Sequence, residues 1–373
     1  MAGSRAWAQK SHKFTATGFL EYLNTTWAPE QTAYWTNLSN VYNRLDLHWY
    51  PVKSLEFSAG IRNNFNFGPM MAGFYPYYAD ELLKDYGWMD LTFSLARDTS
   101  YSLYTNIDRL YMKWTLKKLE LTVGRQRINW GINLIWNPND IFNTYNYFDF
   151  DYVERPGSDA ILLRYYTGDF SSLQVAAKLD YNHQLTAAAL YKFNVKNYDL
   201  QFLGGVMAKD LVLGMGWAGQ IKGVGFTGEA SWFRNLNRFQ DTTGQWVVSV
   251  SANYTFANQL YLNGSFIFNS AGTTGPAGMG TDFFFGSMSP KTLTRSKFDL
   301  FGEVSYPVTP LIKADVSAIF NPNDLSVFTG PSLDFSLTEN LELFVMGQLF
   351  FGKSLTEFGD YGQMYYLRLK WNF

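Results

Sequence analysis

Side chains that carry catalysis are few in this sequence and lie far apart. The three histidines, His12, His48 and His183, show no metal-ligand spacing, and no cysteine is present to supply a thiolate or disulfide. No HExxH helix, GxSxG elbow or glycine-rich phosphate loop occurs. Asp140, Asp149 and Asp151 could approach Ca²⁺ from one loop, but their spacing matches no defined calcium motif. These residues predict no enzyme, no metal and no cofactor. What recurs instead is charge with a period: Arg, Lys, Asp and Glu stand at alternate positions within apolar stretches. Charges so arranged act on passing ions and dipoles rather than on bonds.

A period of two belongs to strands with unlike faces. It is plainest at the carboxyl end, where Tyr365, Leu367, Leu369, Trp371 and Phe373 oppose Tyr366, Arg368, Lys370 and Asn372. Residues are 18% aromatic and 17% charged, and the net charge is -2. The mean hydropathy of -0.17 is too polar for a helical membrane protein. No run reaches the roughly 18 apolar residues of a transmembrane helix. Without a basic stripe, a nucleic-acid partner is not expected. High aromatic content at middling hydropathy fits a transmembrane barrel, in which only alternate residues face lipid and aromatic girdles mark the interfaces.

The fold class predicted is therefore all-β: a transmembrane antiparallel up-and-down β-barrel of 18 strands, with 16 as the alternative count. Residues 1-11 read as an N-terminal tail or remnant, and 12-373 as the single barrel. Alternating segments include 36-50, 54-67, 107-116 and 119-132, and the last is 364-373. Every second connection is short, as at Lys117-Lys118, Val195-Lys196-Asn197 and Lys222-Gly223. The long loops at 68-98, 135-157 and 271-293 all fall among the others, the asymmetry expected of short periplasmic turns and longer external loops. A large β-sandwich also has regular turns, but its core would favour Val and Ile over Tyr and Trp.

With the apolar parity toward lipid, the inward charges can be assigned wall by wall. Arg44, Arg62, Arg109, Lys113, Arg164 and Lys178 form one side, joined by Arg368 and Lys370 of the closing strand. Glu229, Asp299, Glu303, Asp315, Asp334 and Glu342 form the other, with Lys313 as an exception. A basic wall opposite an acidic one would set a transverse field across a wet lumen. A bland reading also stands: charges of both signs keep any lumen wet and pair across strands. A lipid-splitting barrel would need a Ser–His pair facing outward, whereas His48 has the inward parity and His183 sits at a strand end.

The most motif-like stretch is Val123-Gly124-Arg125-Gln126-Arg127-Ile128-Asn129-Trp130-Gly131. Trp136-Asn137-Pro138-Asn139-Asp140 and Arg155-Pro156-Gly157-Ser158-Asp159-Ala160 follow it. A GRQ-x-x-x-WG strand, a W-x-P-x-D loop and an RPG-x-DA return resemble the alginate-export-like porins of Gram-negative outer membranes. That resemblance implies a channel in which Arg125, Arg127 and Arg155 contact an anionic polysaccharide or another anionic solute. Parity places Arg125, Arg127 and Asn129 on one face and is awkward for Gln126, unless a bulge intervenes. The acidic wall is a departure from what a channel for polyanions would carry. The arginines could equally anchor an infolded loop. Trp136, Asp140, Phe142, Tyr147 and Arg155 mark that loop either as a constriction inside the lumen or as a cap that docks a neighbour.

The function expected is passive diffusion of small hydrophilic, anionic or saccharide solutes across a bacterial outer membrane. The alternative is a non-conducting barrel serving as a structural or docking subunit of an outer-membrane secretion, uptake or biogenesis complex. The partners expected are outer-membrane lipid, the barrel assembly machinery reading the strand that ends at Phe373, and a surface lipoprotein or other complex partner.

Overall fold

The structure, a computed structural model, describes residues 13–30, 34–152, 154–241, 243–278 and 288–373. The tail expected at 1-11, His12 and the middle of the 271-293 loop lie outside the described residues. The first strands are β1 (Phe14–Ala28), β2 (Thr36–Val52) and β3 (Leu55–Phe67). Two short helices follow, α1 (Pro69–Gly73) and α2 (Tyr77–Leu82), then β4 (Thr92–Asp98), β5 (Tyr101–Leu116) and β6 (Leu119–Gln126). Next come β7 (Ser158–Gly168), β8 (Ser171–Leu179), β9 (Leu185–Val195), β10 (Tyr198–Met207), β11 (Asp210–Ile221) and β12 (Val224–Asn235). The last are β13 (Gln245–Thr255), β14 (Tyr261–Asn269), β15 (Phe298–Thr309), β16 (Ile312–Asn321), β17 (Ser326–Ser336), β18 (Leu341–Phe351) and β19 (Gln363–Asn372).

All of these strands belong to one antiparallel sheet; 18 close a circuit, and β4 is the extra strand. The seam pairs β1 with β19 in register, with Leu20 opposite Trp371 and Tyr22 opposite Leu369. Gly18 N donates to Phe373 O at 3.0 Å, and Phe373 N donates back to Gly18 O at 2.9 Å. A Cβ on Gly18 would meet the Phe373 ring at 2.9 Å, so glycine leaves room for the terminal ring. At the short-turn end, Lys196 and Asn197 have φ of 51° and 66°, and Lys222 and Gly223 have 51° and 86°. Two successive positive φ values give the turn whose twist matches a two-residue hairpin.

Burial separates the two faces. Leu20, Tyr22, Leu213, Val316, Leu367 and Trp371 are exposed on the outside, while Glu21, Arg44 and Glu229 are buried on the inside. A closed circuit pairs the wall's backbone groups, so an apolar exterior can stand in hydrocarbon. Among the described residues no helix is long and apolar enough to cross a membrane. In this reading the strands cross it.

The structure revises the pattern in three places. The fourth wall strand starts at Tyr101, not 107, because Asp108 is an extra residue between the pairs Ile61–Ile107 and Gly60–Arg109. That bulge inverts the parity: Ser102 and Tyr104 point inward before it, and Arg109, Tyr111 and Lys113 after it. The fifth stops at Gln126 rather than 132, where the chain leaves the wall. The 68-98 stretch is not wholly irregular. Its β4 pairs with β5 over 101–106, on the side that β6 covers only from Leu110 onward. A bare edge of β5 within a membrane would leave donors and acceptors unpaired, and β4 covers it.

The inner face is not polar throughout. Toward the long-loop end it carries an apolar band, including Leu162, Leu190, Leu203, Val212, Phe233, Val247, Ile267, Phe301, Ile319, Phe328 and Phe350, all buried. Such a band needs a covering inside the barrel.

The outer face gives a direct test. Leu367→Arg places a charge where lipid is expected and should cost about 2–4 kcal/mol near the bilayer midplane, read as a lowered urea midpoint for the vesicle-folded barrel. Leu367→Met should leave that midpoint nearly unchanged.

Candidate functional site

The covering is the long connection between β6 and β7, residues 127–157, which folds into the barrel. Its departure is set by Gly124 at φ 118°, a conformation side chains rarely adopt. Beyond it the pairing stays in register, and Arg125 and Gln126 are both buried. Gln126 Nε2 donates to the carbonyl oxygens of Thr122 and Ala160, each at 3.1 Å. Arg125 grips Asp159 with Nε and Nη2, both at 2.8 Å, and Asp85 with Nη1 at 2.7 Å. Its guanidinium therefore ties the start of β7 to the 83–91 segment and is not left for a solute. Arg109 is committed as well, donating to the Glu154 and Arg155 carbonyl oxygens.

From β6 the loop touches much of the inner wall. Trp130 Nε1 donates to Gln174 of β8 at 3.1 Å, and Gln201 of β10 donates to the Trp130 carbonyl at 2.8 Å. Glu229 of β12 accepts the backbone N–H groups of Ile132, Asn133 (2.8 Å) and Asn139 (2.9 Å). Ser231 and Ser249 donate to the Pro138 and Trp136 carbonyls, each at 2.9 Å. Phe148 packs edge-on to Phe328 at 4.9 Å, and its carbonyl accepts from Gln348 at 2.8 Å. Phe150 meets Tyr366 at 4.8 Å.

Loop residues Trp136 and Phe142 are buried, and Tyr147 packs at 5.4 Å from Phe301. Packed in this way, these rings serve the inner core. Asp140 is fully buried, accepts from Asn143 N at 3.4 Å, and has its carboxyl pushed up to about 6 by burial. Among the described residues no group of three or more His, Asp or Glu is placed to hold a metal ion.

The wall charges are largely paired, which changes the expected segregation. Arg44 binds Asp46 at 2.8 Å and also binds Asp108. Arg62 and Arg368 each lie 3.7 Å from Asp151 of the loop. Lys113 and Arg164 share Glu120 at 3.4 and 3.1 Å. The supposedly basic side is thus threaded with carboxylates: Asp46, Asp108 and Glu120 stand on the wall strands themselves, and Asp151 is delivered by the loop. On the other side Glu229 holds the loop, and Asp299 accepts the Thr294 hydroxyl, which lies 3.3 Å from Glu357 of the β18–β19 connection. Glu303 accepts from Asn263 at 3.2 Å, and Asp315 is half-buried on the next strand. Asp334 and Glu342 stand opposite Lys313 and Lys370 in register.

Arg127 differs. It is exposed, and among the described residues its side chain has no hydrogen bond or ion pair. Its neighbour Arg155 lies 4.2 Å over the Tyr145 ring and donates to the Asp149 carbonyl at 2.6 Å. Burial pushes the Arg155 guanidinium below its ordinary value, and the nearby charge of Arg127 acts in the same direction. The residues missed by the sequence reading are the loop's polar holders, Gln174, Gln201, Ser231, Ser249 and Gln348. Their one signal was inward parity, shared with many residues that hold nothing.

No protein-family model matches the sequence, and no curated protein does either. Solved structures share the fold. OccK8 (OprE) of Pseudomonas aeruginosa superposes with a TM-score of 0.64 at 9% identity, over 96% of this chain and 98% of that one. OccAB2 of Acinetobacter baumannii gives 0.62 at 10% identity, over 96% and 98%. The outer membrane protein OprD of Pseudomonas aeruginosa gives 0.60 at 7% identity, over 96% and 93%. At these identities the likeness is one of fold. None of the three carries the alginate-export name, so that resemblance rests on the motifs of residues 123–160 alone.

Two outcomes test how the loop is held. Glu229→Ala leaves three loop donors without their acceptor, at about 1–3 kcal/mol for each buried group left unpaired. Limited proteolysis should then cut within 127–157 while the barrel stays intact on a gel. Asp140 binds its proton more readily in the docked loop than in a free one. Its contribution to docking is therefore greatest below its ordinary value of 3.8 and is lost as the pH rises through about 6. Asp140→Asn should flatten this dependence, read as equal protease resistance at low and neutral pH.

Proposed function

We propose that this chain is a passive channel of a Gram-negative outer membrane, admitting small hydrophilic solutes past an infolded loop, with a preference for anions. The observation that carries the reading is the position of the described residues of 127–157: inside a closed barrel, packed on the wall, with Arg127 exposed and, among the described residues, unpaired. A loop fixed to the wall narrows a lumen and sets its charge at the narrowing. The likeness in fold to the outer membrane protein OprD supports the location. The motif resemblance supports an anionic or saccharide solute, with Arg127 and Arg155 as its contacts. Arg125, gripped by Asp85 and Asp159, takes the anchoring role instead. The strand that ends at Phe373 is proposed as the feature read by the assembly machinery, and lipid as the outer partner.

A second reading, a non-conducting barrel that docks a surface lipoprotein or another complex partner, is favoured by one feature. Phe74, Tyr77 and Trp88 of the 68–98 stretch are exposed aromatics outside the wall strands.

Purified protein in planar bilayers separates the two. The channel reading expects steady conductance with anion-biased reversal potentials in a salt gradient, and a loss of that bias in Arg127→Gln. A folded but silent barrel would overturn it in favour of the docking subunit. Unchanged selectivity in Arg127→Gln would remove this arginine from the path.

A further inference from the structure

Charge on the wall follows one rule with one exception. Among the described residues of the 18 wall strands, each Lys, Asp and Glu has the inward parity, and so does each Arg but one. Arg234, near the end of β12, has the outward parity. Its neighbours fix that assignment. Ser231 and Phe233 are buried on the inside, where Ser231 donates to the loop carbonyl of Pro138, and Trp232 shares the face of Arg234. Across the ladder Arg234 stands opposite Leu211 of β11, two residues before the outward, exposed Leu213.

Nothing in the described chain neutralises this arginine. Its guanidinium has no hydrogen bond and no ion pair among the described residues, and its Nε is buried without a partner. It lies 4.0 Å over the Phe239 ring and 5.8 Å from the Trp232 ring, which packs at 6.3 Å from Trp246. Rings hold a guanidinium in place but give it no counter-charge. Lys209, exposed just before β11, adds a second cation with the parity of Leu211 and Leu213, and its carbonyl accepts Leu236 N at 2.8 Å. The adjacent Asp210 turns inward and takes Lys291 at 2.7 Å. This end of β12 is the long-loop end, which the asymmetry of such barrels places outside. Exposed Trp246, Leu236 and Phe239 surround the two cations there, as an aromatic girdle does where hydrocarbon gives way to head groups. An unpaired cation at that level finds its counter-charge in a lipid phosphate. A guanidinium fork suits two phosphate oxygens, and an ammonium adds a point charge beside it.

We infer that Arg234 and Lys209 form a site on the outer wall for the phosphate of an outer-leaflet lipid. Trp232 and Phe239 hold the arginine, and the acyl chains lie along Leu211 and Leu213. The site goes beyond the channel reading. It requires the barrel to stand in a membrane and does not require it to conduct.

The test is native mass spectrometry of the whole chain, folded in a neutral detergent and titrated with lipid A, an acylated glucosamine disaccharide bearing two phosphates. The unaltered chain should hold one lipid, and Arg234→Gln should weaken that binding at least about tenfold, as expected for the loss of a charge-assisted fork. Arg234→Lys keeps the charge without the fork and should fall between the two. Lys222→Gln makes the same change of charge at the opposite end of β12 and should bind as the unaltered chain does. The same lipid stripped of its phosphates should bind the unaltered chain no better than intact lipid binds Arg234→Gln. Unchanged affinity in Arg234→Gln, with folding verified by heat-modifiable gel mobility, overturns the inference, as does equal binding of the stripped lipid. An equal loss in Lys222→Gln overturns it by reducing the effect to net charge. Displacement of the lipid by inorganic phosphate at matching phosphate concentration overturns it in favour of a free anion. A silent barrel that binds the lipid leaves this site standing, and a conducting one that does not bind it loses only this site.

Discussion

Backbone groups in lipid must find partners within the protein, and most features of this chain follow from that requirement. It forces the circuit shut between β1 and β19, where Gly18 and Phe373 exchange hydrogen bonds. It also accounts for β4. Where β6 ends early and its chain turns inward, part of one side of β5 would be bare. A strand borrowed from the 68–98 stretch pairs there instead. The excursion that looks irregular in sequence is thus part of the wall.

Turning a 31-residue connection inward, residues 127–157, creates a second requirement. Loops carry many polar backbone groups, and inside a barrel these must be met by the wall. Glu229, Gln201, Gln348, Ser231 and Ser249 meet several of them. The loop's aromatic residues are met by an apolar band on the inner face, where Phe301, Phe328 and Phe350 project. The barrel therefore has two apolar surfaces with different purposes. The outer one faces lipid, and the inner one anchors the loop.

Charge obeys the same economy of partners. An arginine buried in the wall is stable only with a counter-charge nearby, since an unpaired buried charge costs several kcal/mol, on the order of 3–5 when a partner is removed. Arg44, Arg125 and Arg164 each have their carboxylates at hydrogen-bond distance. Arg62 and Arg368 share a more distant one. Arg127, which is exposed, has no partner among the described residues. The functional distinction among these arginines lies in what already occupies them.

The sequence by itself determined the strand class, the alternation of short and long connections and the closing role of the last strand, and it left the count of wall strands between 18 and 16. These depend on a period of two and on turn residues such as Lys196-Asn197, both local properties of the chain. Tertiary structure alone decided where that period breaks, because the Asp108 bulge shifts parity without any distinctive side-chain pattern. It also decided which charges are free. Asp85, Asp151 and Asp159 neutralise arginines on other strands, and Phe148 is held by Gln348, 200 residues away. Partners so far apart in sequence are brought together only by closing the barrel and folding a loop into it, and no linear pattern encodes that meeting.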